Sequence, residues 1–302
     1  MSKNLINKYV WLVETLYRAK KITLKEINRK WLETDLSEGL EIPRRTFVNW
    51  KNAVEDMFGL VIVCDKHDGD RYYIENREDL EGEGLQRWLL NTMSVNNTLL
   101  ENRTLKDRIL LENIPSGQDF LDVIMEAMKK SELLEITYKG YWSEHEHTFP
   151  VAPYCVKLFR QRWYLVGRSV YGIRIYGLDR VLEARLTDEA FKYPDDFSPE
   201  VYFEGCFGVI RDDGTGIETV KLKVSANQAN YLRSLPLHPN QKETERNADY
   251  SIFTLQVRPS FDFQQELLWN GDAVEVLEPL WLRKEMAETV RRMWNMYKDG
   301  KK

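Results

Sequence analysis

The sequence predicts an α+β protein built from several domains, and three observations lead to this prediction. A single hydrophobic core rarely serves more than about 250 residues, whereas this chain has 302. Apolar residues recur at helical spacing near the start and alternate with a period of two after Ser131. Strand-like and helix-like segments alternate in the last third. We therefore expect domains at 1–76, 131–211 and 212–302, with a helical connector at 77–130.

Composition excludes several classes of protein. Hydrophobic residues make up 43% of the chain and charged residues 30%, as in ordinary globular proteins. The sequence shows no signal peptide and no apolar run of the roughly 18 residues that a spanning helix needs. Its three cysteines lack paired spacing. We therefore expect a cytoplasmic protein with reduced thiols and no membrane partner.

The positive charge is clustered, although the net charge is −5. Residues 1–51 contain eleven Lys and Arg against six Asp and Glu, and residues 154–185 contain seven against two. Two basic regions in an acidic chain indicate two separate anionic partners. Solvated surface charge that balances by chance would give the same counts.

Three helices are predicted before the first strands. The first is amphipathic over residues 6–17. The second begins with a capping box, in which Thr23 is followed by Glu26. The third begins at Pro43, because proline suits a first helical turn, and ends at Gly59, where a left-handed cap fits.

The third helix combines an apolar face with a polar one. A rotation of about 100° per residue puts its large apolar residues on one side and turns Arg45 and Asn49 outward. Arg and Asn near the start of a helix can contact guanine and adenine edges, so we expect this face to bind double-stranded DNA. Any amphipathic helix also has a polar outer face. The candidate residues are Arg44, Arg45, Thr46, Asn49, Lys51 and Asn52.

A β-hairpin is predicted after the third helix. Apolar residues alternate over 61–63 and 72–74, and residues 67–70 lie between these segments. The Asp-Gly pair in the intervening segment is a strong signal for a two-residue turn. Lys66 and Arg71 would therefore lie at the tip, close to DNA phosphate.

This order of helices and hairpin resembles the winged helix-turn-helix of DeoR-like and WYL transcriptional regulators. The matching stretches are Pro43–Phe47, Phe58-Gly59 and Arg71–Ile74. The resemblance implies that residues 1–76 form a DNA-binding domain whose third helix contacts an operator.

The connector at 77–130 is acidic and helical, with leucines at helical spacing. It is too short to form a core of its own. We expect it to pack against a partner subunit or against the domain that follows.

Short strands at close spacing follow Ser131, and they predict a small, strongly bent β-barrel. Within them Trp163-Tyr164-Leu165 is preceded by Pro150–Tyr154 and followed by Arg174–Val181. This ordered set resembles the WYL domain, with Tyr176 and Val181 where the family usually has Phe and Ile. The resemblance implies an Sm-like β-barrel at 131–211 that senses an effector rather than catalysing a reaction.

Arginines on neighbouring strands of a small barrel can converge on one concave surface. Together with aromatic rings they suit a phosphate and a stacked base, so we expect a nucleotide or a short single-stranded nucleic acid as the anionic ligand. An ion pair between Arg180 and Asp179 is the structural alternative for that arginine. The candidate residues are Tyr138, Tyr154, Lys157, Arg160, Arg162, Arg174 and Arg180.

The last segment, 212–302, alternates predicted strands and helices, beginning with a strand at 220–224 and ending with a helix at 282–297. Gly271–Pro279 and Leu282-Arg283 resemble the WCX extension that follows WYL domains. The resemblance implies a ferredoxin-like fold and contacts within a homodimer.

Two other functions stay open at this point. His145 and His147 resemble part of a hydrolase metal site, but such a site needs a third ligand, and only His67 and His238 remain. A nucleic-acid adaptor without sequence specificity would share both basic regions. We expect no catalytic residue, metal or cofactor, and a repressor that its ligand releases from the operator. The resemblance to phage-defence-associated WYL repressors implies a defence gene as its target.

Overall fold

The structure is a computed structural model that describes residues 3–81, 84–101, 103–110, 112, 115–211 and 214–298. The chain divides into two compact units, Met1–Glu112 and Asn113–Lys302. None of the helices in these described ranges is both long enough and apolar enough to cross a bilayer.

The first unit consists of helices with a small antiparallel sheet. The helices and strands are α1 (Lys3–Ala19), β1 (Ile22–Thr23), α2 (Leu24–Leu32), α3 (Arg44–Phe58), β2 (Ile62–Asp65), β3 (Arg71–Ile74), α4 (Glu78–Glu81) and α5 (Leu85–Glu101). The strand order is β1-β3-β2. The predicted helices and hairpin are therefore confirmed. Strand β1 was not predicted, because two residues are too short to show alternation.

The predicted helix ends are also confirmed, except that α3 begins at Arg44, one residue after the predicted start at Pro43. The Glu26 N–H donates to the Thr23 hydroxyl at 3.3 Å, and the Thr23 N–H donates to the Glu26 carboxylate at 2.9 Å. Pro43 immediately precedes α3. Gly59 ends the helix with a φ of 65°, a left-handed backbone conformation that glycine adopts more readily than residues with a Cβ. These ends position α3 between α2 and the hairpin.

Aromatic side chains form the centre of the first unit. Trp31 lies edge-on to both Trp11 and Trp50, with ring centroids 4.9 Å and 5.3 Å away. Its indole N–H donates to the carbonyl oxygen of Leu40 at 2.8 Å, so this buried polar atom is satisfied. The apolar residues of α3 face this core as predicted, namely Phe47, Trp50, Val54 and Phe58.

The first part of the predicted connector packs against the helices that precede it. Leu80 in α4 and Leu90 in α5 are buried in the core of the first unit. The leucines at helical spacing in this part of the connector are therefore part of the hydrophobic core of the first unit.

The hairpin loop differs from the predicted two-residue turn. It runs from Lys66 to Asp70, because the strands stop pairing at Asp65 and Arg71. The Asp65 carboxylate accepts hydrogen bonds from the N–H groups of His67 and Asp68 at 3.1 Å and 3.2 Å. This side-chain cap stabilises a longer loop than the Asp-Gly signal predicts.

The second unit contains two antiparallel sheets with helices. In its first part α6 (Leu121–Lys130) precedes β4 (Glu132–Tyr138), β5 (His147–Phe159), β6 (Arg162–Ser169), β7 (Gly172–Gly177) and β8 (Val181–Ala190). The strand order is β7-β6-β5-β4-β8. Helix α6 contributes Ile124 and Ala127 to the buried cluster on this sheet. The predicted strands are confirmed, and β5 is longer than expected.

The tight turn between β5 and β6 determines where their side chains lie. Arg160 and Gln161 have φ values of 47° and 64°, and both lie in the left-handed region. Consecutive residues of this kind are typical of the two-residue turns whose twist matches antiparallel strands. A register irregularity between Pro153 and Cys155 further changes which side chains of β5 face each side.

The rest of the second unit begins with α7 (Pro199–Tyr202) and contains the other sheet. Its elements are β9 (Glu218–Ser225), α8 (Ala226–Ser234), β10 (Lys242–Arg246), β11 (Tyr250–Val257), α9 (Phe261–Trp269), β12 (Val274–Glu278) and α10 (Leu280–Lys298). The strand order is β10-β11-β9-β12. Strand β10 was not predicted, because all its residues are polar and exposed. The boundary residues Asp212 and Asp213 lie outside the described residues.

Substitution of Gly167 by alanine tests whether β5 and β6 approach each other closely at this position. A Cβ at this position would lie 2.4 Å from Val151 Cγ1 and 2.8 Å from the Ala152 carbonyl oxygen. We expect Gly167→Ala to lower the free energy of unfolding by about 1–3 kcal/mol through overpacking, as measured by urea denaturation. Gly216→Ala is the control, since nothing lies within 4 Å of a Cβ there. Equal stabilities of the two variants would contradict the strand packing.

Candidate functional site

The outer face of α3 is the first candidate site. Arg44, Arg45, Asn49 and Asn52 are exposed, while Thr46 is half-buried. Within the part of the chain that the structure describes, the four exposed side chains make no hydrogen bond to another residue. Their donors and acceptors are therefore available to a partner molecule.

Lys51 differs from its neighbours on α3 because it is engaged inside the unit. Its ammonium lies 2.8 Å from the Glu55 carboxylate, and both side chains are about three-quarters buried. Glu55 also accepts a hydrogen bond from the Ile62 N–H at 2.8 Å. This arrangement joins α3 to the hairpin, so Lys51 has a structural role.

The hairpin tip carries charges of both signs. Lys21 lies 2.8 Å from Asp65 and 3.5 Å from Asp68, and Arg71 lies 3.8 Å from Asp68. The hydrogen bond to Asp65 raises the pKa of Lys21, and the same bond lowers the pKa of Asp65. Arg71 is thus partly compensated by a carboxylate. Lys66 is exposed and has no carboxylate partner among the described residues.

The second candidate site lies in the second unit, where Arg162 meets Asp179. One Arg162 amino group lies 3.4 Å from the Asp179 carboxylate and donates to the Tyr141 hydroxyl at 3.3 Å. The Tyr141 hydroxyl in turn donates to Asp179 at 3.3 Å. The Asp179 side chain is only 10% exposed, whereas that of Arg162 is 40% exposed. The carboxylate therefore holds the arginine while leaving part of it open to solvent.

Arg180 lies beside this pair and is held between aromatic rings. Its guanidinium is 4.4 Å from the centroid of the Tyr141 ring and 5.2 Å from that of Tyr138. Its Nε atom is buried and has no hydrogen-bond partner among the described residues. A Cβ on Gly177 would come within 2.8 Å of the Arg180 guanidinium. The absence of a side chain at Gly177 therefore provides the space in which this guanidinium lies.

Burial also affects the phenols at this site, where it raises the pKa of Tyr138 and of Tyr164. Both phenols are therefore protonated and can donate hydrogen bonds at neutral pH. We define the arginine–tyrosine cluster as Tyr138, Tyr141, Arg162, Tyr164, Asp179 and Arg180. Two guanidinium groups against one carboxylate give it a net positive charge.

Three predicted ligand residues of β5 and its turn have other partners. Tyr154 is buried against Phe197 and other rings. The Lys157 ammonium donates to the Gly208 carbonyl oxygen at 2.6 Å, and burial lowers its pKa. Arg160 forms an ion pair with Glu266. These contacts hold β5 against the segments that follow the first sheet.

Arg174 is exposed on β7, opposite Gly167 of β6. The structure therefore brings Tyr138, Arg162 and Arg180 together, as expected from the sequence, and gives Arg174 no contact with them. Tyr141 and Tyr164 were missed. Tyr164 belongs to the Trp-Tyr-Leu triplet and could have been found there, whereas nothing in the pattern around Tyr141 marks it.

The two histidines lie in the loop before β5 and at its start. His147 Nε2 lies 3.2 Å from the Ser143 hydroxyl, and the same hydroxyl donates to the His145 carbonyl oxygen at 2.6 Å. Across the described ranges no group of three or more His, Cys, Asp or Glu side chains could hold a metal ion. The histidine pair instead takes part in shaping this loop.

Comparison with protein-family models gives two matches in the second unit. Residues 119–186 match the WYL domain, which spans the arginine–tyrosine cluster, and residues 217–294 match the WCX domain. The chain therefore contains a WYL domain followed by a WCX domain, as the resemblance in the sequence predicts.

Solved structures show more distant similarity. Proteasome accessory factor B/C (PafBC) of Arthrobacter aurescens matches with 16% identity and a TM-score of 0.37, over 94% of this chain and 45% of that one. This chain thus spans less than half the length of that protein. A CRISPR Cas-related protein matches with 12% identity and a TM-score of 0.42, over 99% of this chain and 86% of the other. No curated protein sequence matches the chain.

Glu55 provides a test of the link between α3 and the hairpin. Glu55→Ala removes the acceptor of the Ile62 N–H and the partner of Lys51, so we expect the free energy of unfolding to fall by about 1–3 kcal/mol in urea denaturation. Asp56→Ala on the same helix is the control, because Asp56 is exposed, and it should change stability by at most about 0.5 kcal/mol. Similar losses in both variants would argue against the link.

Proposed function

We propose that this protein is a sequence-specific transcriptional regulator that binds operator DNA through a winged helix-turn-helix at residues 1–76. The exposed face of α3 carries this proposal. It begins with two arginines, continues with Asn49 and Asn52, and has its charged and amide groups unengaged within the described residues. An α-helix fits the major groove, where such side chains can form bidentate contacts with base edges.

The contacts within the first unit suggest a different role in DNA binding for each group of candidate residues. Arg45 and Asn49 point away from the core and would contact base edges. Lys66 at the hairpin tip would contact phosphate. Lys51 and Arg71 lie beside carboxylates and would contribute less to affinity. The remaining candidates, Arg44, Thr46 and Asn52, would flank the base contacts.

We further propose that the WYL domain is an Sm-like β-barrel that binds an anionic effector at the arginine–tyrosine cluster. The unsatisfied Nε of Arg180 supports this, since a buried donor without a partner is rare in native proteins. Arg162 is partly open beside it. A phosphate group would satisfy both arginines, so a nucleotide or short nucleic acid is the proposed effector. Arg174 would contact a ligand that extends along β7.

For the WCX domain we propose a ferredoxin-like fold that contributes to a homodimer. The order of elements from β9 to β12 is strand, helix, two strands, helix and strand, with the last strand beside the first. Exposed Trp294 and Tyr297 on α10 provide apolar area for a subunit contact. Two α3 helices in a dimer would contact half-sites about one helical turn apart.

In the proposed mechanism the effector changes the affinity of a cytoplasmic repressor for its operator. A coupling free energy of roughly 1–3 kcal/mol would change that affinity about 5- to 150-fold. A phage-defence gene as the target remains a proposal that rests on family resemblance. We propose a regulator rather than an enzyme, because the carboxylate of the arginine–tyrosine cluster is engaged by Arg162 and Tyr141 and the cluster's guanidinium groups are suited to binding an anion.

Arg45 tests DNA recognition. We expect Arg45→Ala to weaken binding to duplex fragments from the region upstream of the gene by roughly 5- to 150-fold, because a bidentate base contact contributes about 1–3 kcal/mol. Binding would be measured by fluorescence anisotropy with excess bulk DNA as competitor. The wild type should prefer its operator by a factor of about a thousand or more.

Arg18→Ala is the matched control for this experiment. Arg18 is an exposed arginine on α1, and its side chain is 79% exposed. It should change duplex affinity little. If Arg18→Ala and Arg45→Ala weakened binding equally and without sequence preference, the protein would be a non-specific nucleic-acid adaptor.

Arg180 tests the effector site. We expect Arg180→Ala to abolish the binding of adenosine monophosphate, measured by calorimetry, and to leave duplex binding unchanged. Arg168→Ala is the control, because Arg168 is an exposed arginine of β6 outside the cluster. Loss of duplex binding by a folded Arg180→Ala protein would contradict separate sites for DNA and effector.

A further inference from the structure

The loop between β4 and β5 carries an indole that contributes nothing to the core. Trp142 is 100% exposed, and its neighbour Tyr141 is 67% exposed. Tryptophan offers more apolar area than most side chains, and leaving it in water forgoes that stabilisation. A fully exposed tryptophan beside a binding site is therefore a candidate contact for a ligand.

Hydrogen bonds hold this loop in place beside the arginine–tyrosine cluster. The Lys139 N–H donates to the Arg180 carbonyl oxygen at 3.2 Å, and the Ser143 N–H donates to the Gly140 carbonyl oxygen at 3.2 Å. The Ser143 hydroxyl closes the far side of the loop through its bond to the His145 carbonyl oxygen. These bonds span Trp142 on both sides, so its backbone is positioned rather than free.

Tyr141 connects the loop to the charged groups. Its hydroxyl bonds Asp179 and accepts from Arg162, while the Arg180 guanidinium lies against its ring. Its ring is therefore already used to position the arginines. The adjacent Trp142 is the aromatic residue of this loop that stays available, and it follows directly in the chain.

We propose that Trp142 is a stacking platform for the base of a ligand whose phosphate is held by Arg162 and Arg180. This proposal rests on the proposed effector site and specifies its ligand as a phosphorylated nucleoside unit, either free or within a single strand. Two guanidinium groups beside one buried carboxylate fit one phosphate. An exposed indole fits a nucleobase, because base–aromatic stacking needs a flat apolar face and tolerates any base.

Calorimetric titration of the full chain tests this proposal with three probes: adenosine monophosphate, inorganic phosphate and a short oligodeoxyadenylate. We expect Trp142→Ala to weaken binding of adenosine monophosphate by roughly 5- to 150-fold, the loss that removal of one base–aromatic stack causes. Binding of inorganic phosphate should not change. Trp142→Phe should restore part of the affinity, because phenylalanine keeps an aromatic face.

Trp269→Ala is the control for removal of an exposed indole, since Trp269 is 87% exposed on α9. It should bind every probe as the wild type does. A wild type that prefers the oligodeoxyadenylate to adenosine monophosphate would identify the nucleoside unit as part of a strand, and the opposite preference would identify a free nucleotide.

Two results would overturn the proposal, and they are distinguishable. If the wild type bound inorganic phosphate as tightly as adenosine monophosphate, or if Trp142→Ala weakened both equally, stacking by Trp142 would be wrong while the anion site remained. If the wild type bound none of the three probes, the effector site itself would be wrong, and this inference would fall with it.

Discussion

The arrangement of the WYL domain depends on how one carboxylate is shared among charged and aromatic groups. Asp179 bonds Arg162 and Tyr141, and Arg180 is left with contacts to the faces of two tyrosine rings. Cation–π contacts of this kind contribute about 0.5–2 kcal/mol, whereas a buried donor without a partner costs about 1–3 kcal/mol. The two contributions are of similar size, so contact with the tyrosine rings offsets much of the cost of burying the Arg180 guanidinium.

Some basic residues of the first unit form ion pairs within the unit, whereas others are exposed and could contact a partner molecule. Lys51 pairs with Glu55 within α3, and Glu55 also accepts a hydrogen bond from the Ile62 N–H, which connects α3 to the hairpin. Lys21 pairs with Asp65 of the hairpin. Arg45 and Asn49 lie on the side of α3 that faces away from its buried apolar residues, and they remain unengaged among the described residues. A helix held on one side by an aromatic core can present the other side at a defined angle, which sequence-specific recognition requires.

Local sequence signals predicted most of the first unit. The capping box at Thr23 and the cap at Gly59 depend on residues within one turn of each other, so they could be identified without tertiary information. The hairpin loop was predicted too short, because the Asp65 carboxylate competes with the Asp-Gly turn for the same amides. Strand β10 was missed since it is an exposed edge strand whose polar residues show no apolar alternation.

The sequence by itself determined the presence of the WYL and WCX domains and the polar face of α3, because these depend on an ordered motif and on local periodicity. It predicted that seven basic and aromatic residues converge, and the structure brings Tyr138, Arg162 and Arg180 of that set together. Only the tertiary structure decided which of the other basic residues belong together. Arg160 turns to Glu266 and Lys157 to Gly208, through a left-handed turn and a register irregularity in β5. Tyr141 enters the site from a loop with no periodic signal. The physical reason is that side-chain direction in a bent strand depends on pairing with distant segments, which neighbouring residues do not encode.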